Sequence, residues 1–144
     1  MIDVTLDKRD ALKEVHIYAY SVGHFNNDLC ASMWFIYLNY YLQYVVGLSP
    51  TLTGAAILSG QVTDGITTPI VGISSDKCSC PFGKRNTWYY FGSLLVIPSF
   101  LGIFINTPGF LDTNHKKGIY YCVLPAIFNI GWASVQIAHM SIVN

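Results

Sequence analysis

Long apolar runs, broken by short polar clusters, set the pattern of this chain. Four runs stand out, at residues 15–46, 51–73, 87–105 and 118–143. A run of about 18 or more apolar residues with few charges reads as a membrane-crossing helix. The pattern therefore predicts an all-α membrane protein with four transmembrane helices. The first run, at ~1.5 Å per residue, is longer than a ~30 Å hydrocarbon core requires, so it must tilt or lay its first turns in the interface. Gly47-Leu48-Ser49-Pro50 closes it. Ser49 can cap the next helix, and Pro50 falls at its first position, where a missing N–H costs nothing. Segment 74–86 carries Asp76, Lys77, Lys84 and Arg85 with the breakers Pro81 and Gly83. Segment 106–117 holds Pro108, Gly109 and Asp112. Pro98, inside the third run, predicts a kink because it removes one backbone bond.

Composition strengthens this picture. Of 144 residues, 52% are hydrophobic and 11% charged, with a mean hydropathy of +0.41. A soluble domain carries about 25% charged residues, so this chain has too few to cover a water-facing surface. Tyr18, Tyr20, Tyr44, Trp88, Tyr89, Tyr90, Tyr120 and Tyr121 lie near the ends of the runs, where amphipathic rings favour the membrane interface. The bilayer is thus the first expected partner. Formal net charge is zero, with no basic stripe that would engage nucleic acid. Residues 1–14 form a polar segment with no cleavable signal pattern, which leaves the first helix as the insertion signal.

Lysine and arginine set the orientation. Lys8, Arg9 and Lys13 precede the first run, and Lys77, Lys84 and Arg85 follow the second. The turn after the first run has none, and Lys116 and Lys117 follow the third. The excess places the N-terminus and segment 74–86 in the cytosol, with segment 106–117 facing the lumen or exterior. Cys30 and Cys122 fall inside helices, while Cys78 and Cys80 form a C-x-C with no partnering histidine or cysteine pair. No metal site and no cofactor are expected.

An ionisable side chain in hydrocarbon costs at least ~2.5–3.5 kcal/mol, which singles out Asp28 and Asp64. His24, Asp28 and Ser32 share one helix face at i, i+4, i+8 spacing. Gln61, Asp64 and Thr68 do so in the second helix, and Asn129, Trp132, Gln136 and His139 in the fourth. Polar stripes that face one another would line a wet cavity and mark a solute or ion pathway. Plainer roles exist for each residue. Asp28 and Asp64 could pair with basic groups on other helices, His24 and His139 could be hydrogen-bonded packing residues, and Trp132 could be core. Gly54, Gly60, Gly65 and Gly72 suit close helix packing.

These motifs resemble a known family. Tyr20–Asp28 (YSVGHFNND) and Gly60–Gly72 (GQVTDGITTPIVG) are similar to the first- and second-helix motifs of the glycoside–pentoside–hexuronide:cation symporters, the melibiose-permease-like branch of the major facilitator superfamily. Asp76-Lys77 with Gly83-Lys84-Arg85 resembles the superfamily's cytosolic loop signature, interrupted by an insertion. The resemblance runs from about Tyr18 onward and includes Gly131–Ser141 (GWASVQIAHMS). It implies the first four helices of a twelve-helix transporter, with substrate held between two six-helix halves. The missing helices are then partners, and a small organic solute is the cargo. By carry-over, Asp28, His24, Trp132 and Gln136 would bind substrate, Asp64 and Thr68 would couple an ion, and Asp76, Gly83, Lys84 and Arg85 would form the conformational loop.

Two positions depart from the sodium-coupled pattern. Thr68 stands where those relatives carry a second acidic residue, and Gln136 where they tend to carry another. A single remaining carboxylate can bind and release a proton, since desolvation penalises its charged form. The coupling ion is therefore expected to be H⁺. Within the family, the resemblance implies cysteine import into lysosome-like organelles. A sugar:cation symporter, with the plasma membrane as its site, is the alternative. A membrane adaptor without transport activity is the reading from another class, and no residue constellation points to an enzyme.

Overall fold

The computed structural model describes residues 14–77, 83, 85–105, 109 and 113–141. Lys84, Cys78, Cys80 and the basic residues of the N-terminal segment, on which parts of the expectations above rest, lie outside them. The described residues are almost wholly helical.

The first apolar run forms one continuous rod. Helix α1 (Glu14–Ser32) passes into a π-turn segment (Met33–Tyr37), the short α2 (Leu38–Tyr40) and a second π-turn segment (Tyr41–Val45). The Leu38 and Val46 N–H groups donate to the Met33 and Tyr41 carbonyls, i→i+5 bonds that mark these wider turns. Each wide turn takes up an extra residue and rotates the face that follows. Trp34, Leu38, Tyr41 and Leu42 all end up buried on the inward side as a result.

Gly47, at φ +75°, makes the turn that follows. Ser49 Oγ accepts the Leu52 N–H at 3.4 Å, and helix α3 (Pro50–Lys77) begins at the proline. Helices α4 (Asn86–Phe104) and α5 (Asn114–Met140) complete the order. Where the apolar runs predict helices over 51–73 and 118–143, α3 continues one turn further and α5 starts one turn earlier. The polar residues at those ends, Ser74–Lys77 and Asn114–Lys117, extend the helices instead of forming loop. Asp76 thus sits in the last turn of α3.

Helix α5 is the centre of the bundle. It packs between α3 and α4, and the far half of the first rod closes on it through Trp34, Leu38, Tyr41 and Leu42. At the α4–α5 crossing the backbones touch: a Cβ on Gly92 would lie 2.6 Å from the Gly131 carbonyl oxygen. Gly60 admits the Trp34 ring and the Asn129 amide, each of which would lie 2.7 Å from its Cβ. Gly54, Gly65 and Gly72 face open space, so the packing role expected of the α3 glycines is confined to Gly60. Hydrogen bonds tie the elements at one end. Tyr41 Oη donates to the Phe104 carbonyl at 3.2 Å, Tyr120 Oη to Gly102 at 2.9 Å, and Ser59 Oγ to Cys122 at 2.8 Å.

The outer faces are apolar. Leu58, Val62, Ile66, Ile70 and Ile73 on α3, and Tyr90, Leu94, Ile97 and Leu101 on α4, are each more than half exposed. Stripes of this kind at helical spacing suit lipid as the surrounding solvent. By length and apolar composition alone, α4 and α5 qualify as membrane spans among the described residues, two of the four expected. Helices α1 and α3 fall short because Ser21–Asp28 and Ser59–Thr68 put several polar groups into their middle turns.

Candidate functional site

Two cavities meet at the polar stripes. A central one of about 320 Å³ is bounded by α1, the first π-turn segment, α3 and α5. Its wall includes Asn27, Asp28, Gln61, Asp64, Asn129 and Gln136, over an aromatic floor of Trp34, Phe128 and Trp132. The floor is stacked: the Trp34 and Phe128 centroids are 4.7 Å apart, and those of Phe128 and Trp132 5.6 Å. A second, more open cavity of about 510 Å³ is lined by Asp64, Thr68, Arg85, Gln136, Ile137, Met140 and Ser141. Asp64 and Gln136 belong to both, so they form the partition between a central chamber and a vestibule.

Helix periodicity explains this convergence. Gln61 and Asp64 are one turn apart on α3, and Asn129, Trp132 and Gln136 are successive turns of one α5 face. Because α3 and α5 lie side by side, the two stripes meet across the crossing. Asp28 comes from α1, the third wall. The central cavity brings two carboxylates together with four side-chain amides and no basic residue in its lining. Attraction for a cation or for a positively charged part of a solute is the electrostatic result. Arg85 adds one positive charge to the lining of the vestibule.

Local contacts flank the carboxylates. Thr68 Oγ1 donates to Asp64 Oδ1 at 3.3 Å, one turn along α3. His24 Nε2 lies 3.8 Å from Asp28 Oδ2, one turn along α1. Asn129 Nδ2 donates to the Pro125 carbonyl at 2.8 Å, a carbonyl from the helix's own preceding turn. Asn27 Oδ1 is buried at the chamber wall with no hydrogen-bond partner among the described residues, which leaves an acceptor for a bound solute or water. No group of three or more histidine, cysteine, aspartate or glutamate side chains forms a metal cluster among the described residues.

The sequence-derived candidates divide as follows. Asp28, Asp64, Trp132 and Gln136 share the central cavity. Thr68 joins Asp64 and Gln136 in the vestibule. His24 lines neither cavity but stands behind Asp28. Arg85, expected in a conformational loop, reaches the vestibule, while Asp76 and Gly83 line neither cavity. Residues that the stripes did not single out are Asn27, Trp34 and Phe128. Trp34 is six residues beyond Asp28, off the stripe for a regular helix, and the π turn starting at Met33 brings it to the floor.

Comparisons with known proteins agree with the motifs. The family described as "MFS/sugar transport protein" matches residues 19–144. The chain is 42% identical over 130 residues to "Major facilitator superfamily domain-containing protein 12" of Homo sapiens, covering 87% of this chain and 27% of that protein. It is 31% identical over 144 residues to "Uncharacterized symporter YjmB" of Bacillus subtilis (99% of this chain, 30% of that protein). "Uncharacterized symporter sll1374" of Synechocystis is 27% identical over 128 residues (86% of this chain, 23% of that protein). The chain thus spans about a quarter of the length of the curated relatives it matches. No solved structure matches it.

Proposed function

Because this chain belongs to the MFS/sugar transport protein family of membrane transporters, we propose that it supplies part of the solute pathway of a secondary active transporter that moves a small organic solute together with protons. The observation that carries the proposal is the central cavity, where carboxylates from α1 and α3 face one space inside otherwise apolar helices. Charged groups at that depth are costly and are kept where they bind solute or ion. Asp28, Trp132, Gln136 and the neighbouring His24 are the substrate side of the site. Asp64, with Thr68 as its hydrogen-bond donor, is the coupling side. Neutral oxygens at Thr68 and Gln136 offer little to sodium, which needs several hard oxygen ligands, whereas a proton needs only one.

The motif resemblance implies cysteine as cargo and a lysosome-like membrane as its place, and the excess of lysine and arginine puts the N-terminus in the cytosol. A sugar as cargo is the second reading, supported by the family's own description. The remaining helices of a twelve-helix protein would close the chamber from the other side, as alternating access requires.

The test is uptake by the full-length protein in proteoliposomes, with labelled L-cysteine and labelled melibiose, under either a proton or a sodium gradient. Cysteine accumulation that follows the proton gradient is expected. Asp64→Asn abolishes that accumulation while leaving cysteine exchange, and Asp28→Asn loses cysteine binding. Accumulation that follows sodium and ignores protons, or an Asp64→Asn protein that still accumulates cysteine, refutes the coupling assignment.

A further inference from the structure

Behind Asp28, at the α1–α5 interface, lies a cluster that neither cavity includes. The rings of Tyr20 and His139 are stacked 4.3 Å apart and within 5° of parallel. His24 continues the arrangement, with its ring 6.1 Å from His139 and tilted by 13°. Tyr89 of α4 approaches His139 from the other side at 6.4 Å. Gly23 makes the stack possible, because any Cβ there would fall 2.9 Å from His139 Cε1. His139 is buried, and its Nε2 has no hydrogen-bond partner among the described residues. Helix α1 has little other contact with α5, so this cluster fixes how the wall carrying Asp28 meets the bundle.

We propose that His24 is a proton-operated switch on Asp28: protonated, it holds the Asp28 carboxylate as an ion pair, and neutral, it releases that charge to the central cavity. Three features converge on it. His24 Nε2 is 3.8 Å from Asp28 Oδ2, so a small rotamer change closes or opens the pair. Asp28 itself lines the cavity, while His24 does not. The His24 side chain is 47% exposed among the described residues, which leaves room for that rotamer change. Histidine is the side chain whose ordinary range spans the difference between a neutral and an acidified compartment.

The titratable groups that face His24 are few. Tyr20 and Asp28 lie on its own helix, His139 on α5, with Tyr89 of α4 behind it, and Asp64 of α3 sits across the cavity from Asp28. A second positive charge on His139 would oppose one on His24 across 6.1 Å. His139, buried against Tyr20 and close to the Gly23 backbone, serves to position the His24 ring. This site is separate from the coupling carboxylate. It tunes how strongly the chamber attracts positive charge, whatever drives transport.

The test reads charge in the cavity and needs no solute. Ala31 lines the central cavity. In the full-length protein with its native cysteines replaced, Ala31→Cys is reacted with a cationic and an anionic methanethiosulfonate, in an Asp64→Asn background so that the Asp64 proton makes no contribution. The ratio of cationic to anionic rates is expected to fall about 30-fold between about pH 7.5 and pH 5.5, since neutralising one charge ~4 Å away in water changes the two rates about six-fold in opposite senses. His24→Gln makes the ratio high and flat. His139→Phe keeps the stacked shape and retains the step. A step that survives in His24→Gln, or that vanishes in His139→Phe, overturns the switch. Either result leaves the transport reading standing, because that reading is judged by uptake.

Discussion

Gly92→Ala tests the architecture most directly. In an exposed helix position this substitution stabilises by roughly 0.5–1 kcal/mol, because alanine gives up less conformational freedom on folding. At Gly92 the new methyl meets Gly131 O at 2.6 Å, Val135 Cγ2 at 2.8 Å and Ser134 Cβ at 2.9 Å. The first is backbone and cannot rotate away. Ordinary contact begins near 3.4 Å, so α4 must retreat from α5 by about 0.8 Å. Helix α4 packs chiefly on α5, and the shift would loosen the interface that holds it in the bundle. Overpacking of this kind costs about 1–3 kcal/mol, and a backbone clash belongs at the upper end. After the alanine gain is subtracted, a net loss of about 1–2 kcal/mol is expected. The assay is reversible unfolding of the detergent-solubilised protein, with Gly65→Ala as control because its Cβ meets nothing within 4 Å. Gly131→Ala should behave like Gly92→Ala, and the double variant should lose less than the sum, since one retreat makes room for both methyl groups. A Gly92→Ala protein as stable as Gly65→Ala would refute the close crossing.

Two further outcomes follow from packing and charge. Gly60→Ala should displace the Trp34 ring and the Asn129 amide, each 2.7 Å from the new Cβ, and so raise the KM for solute more than it lowers stability; an unchanged KM would show that these residues do not shape the chamber. A cysteine at Asn114, the first residue of α5, should be labelled by an impermeant reagent only from the lumenal or exterior face, and labelling from the cytosolic side alone would reverse the assigned orientation.

Much of this architecture was legible in the chain, for a physical reason: hydrophobic periodicity and intramembrane charge are local signals. Helix α4 matches its apolar run to within one residue at each end, because both ends are marked by sharp changes in polarity. The stripes of α3 and α5 pointed to a shared cavity because residues one turn apart must share a face. What stayed hidden depends on partners far along the chain. Nothing around Trp34 marks an i→i+5 turn, since that turn is stabilised by the packing of Trp34, Leu38 and Tyr41 against α4 and α5. Gly60 and Gly65 look alike in sequence, yet only Gly60 meets a neighbouring helix. Arg85 read as a loop cation, and its place in the vestibule lining emerges only once α4 is packed against the end of α5.

The partition formed by Asp64 and Gln136 explains why two carboxylates in one chamber need not be redundant. Asp28 touches the central cavity alone, whereas Asp64 borders both the chamber and the vestibule. A group with access to one space can only bind there. A group between two spaces can take up a proton from one and release it to the other, which coupling requires. Thr68 approaches Asp64 from the vestibule side and donates a hydrogen bond to its carboxylate. Arg85 lines the same vestibule. In the proposed mechanism the proton is shed toward the vestibule, the more open of the two spaces that Asp64 borders. Solute charge at Asp28 and proton occupancy at Asp64 then act on each other through the cavity they share. Asp64→Asn and Asp28→Asn should accordingly affect different steps of the cycle, accumulation and binding respectively.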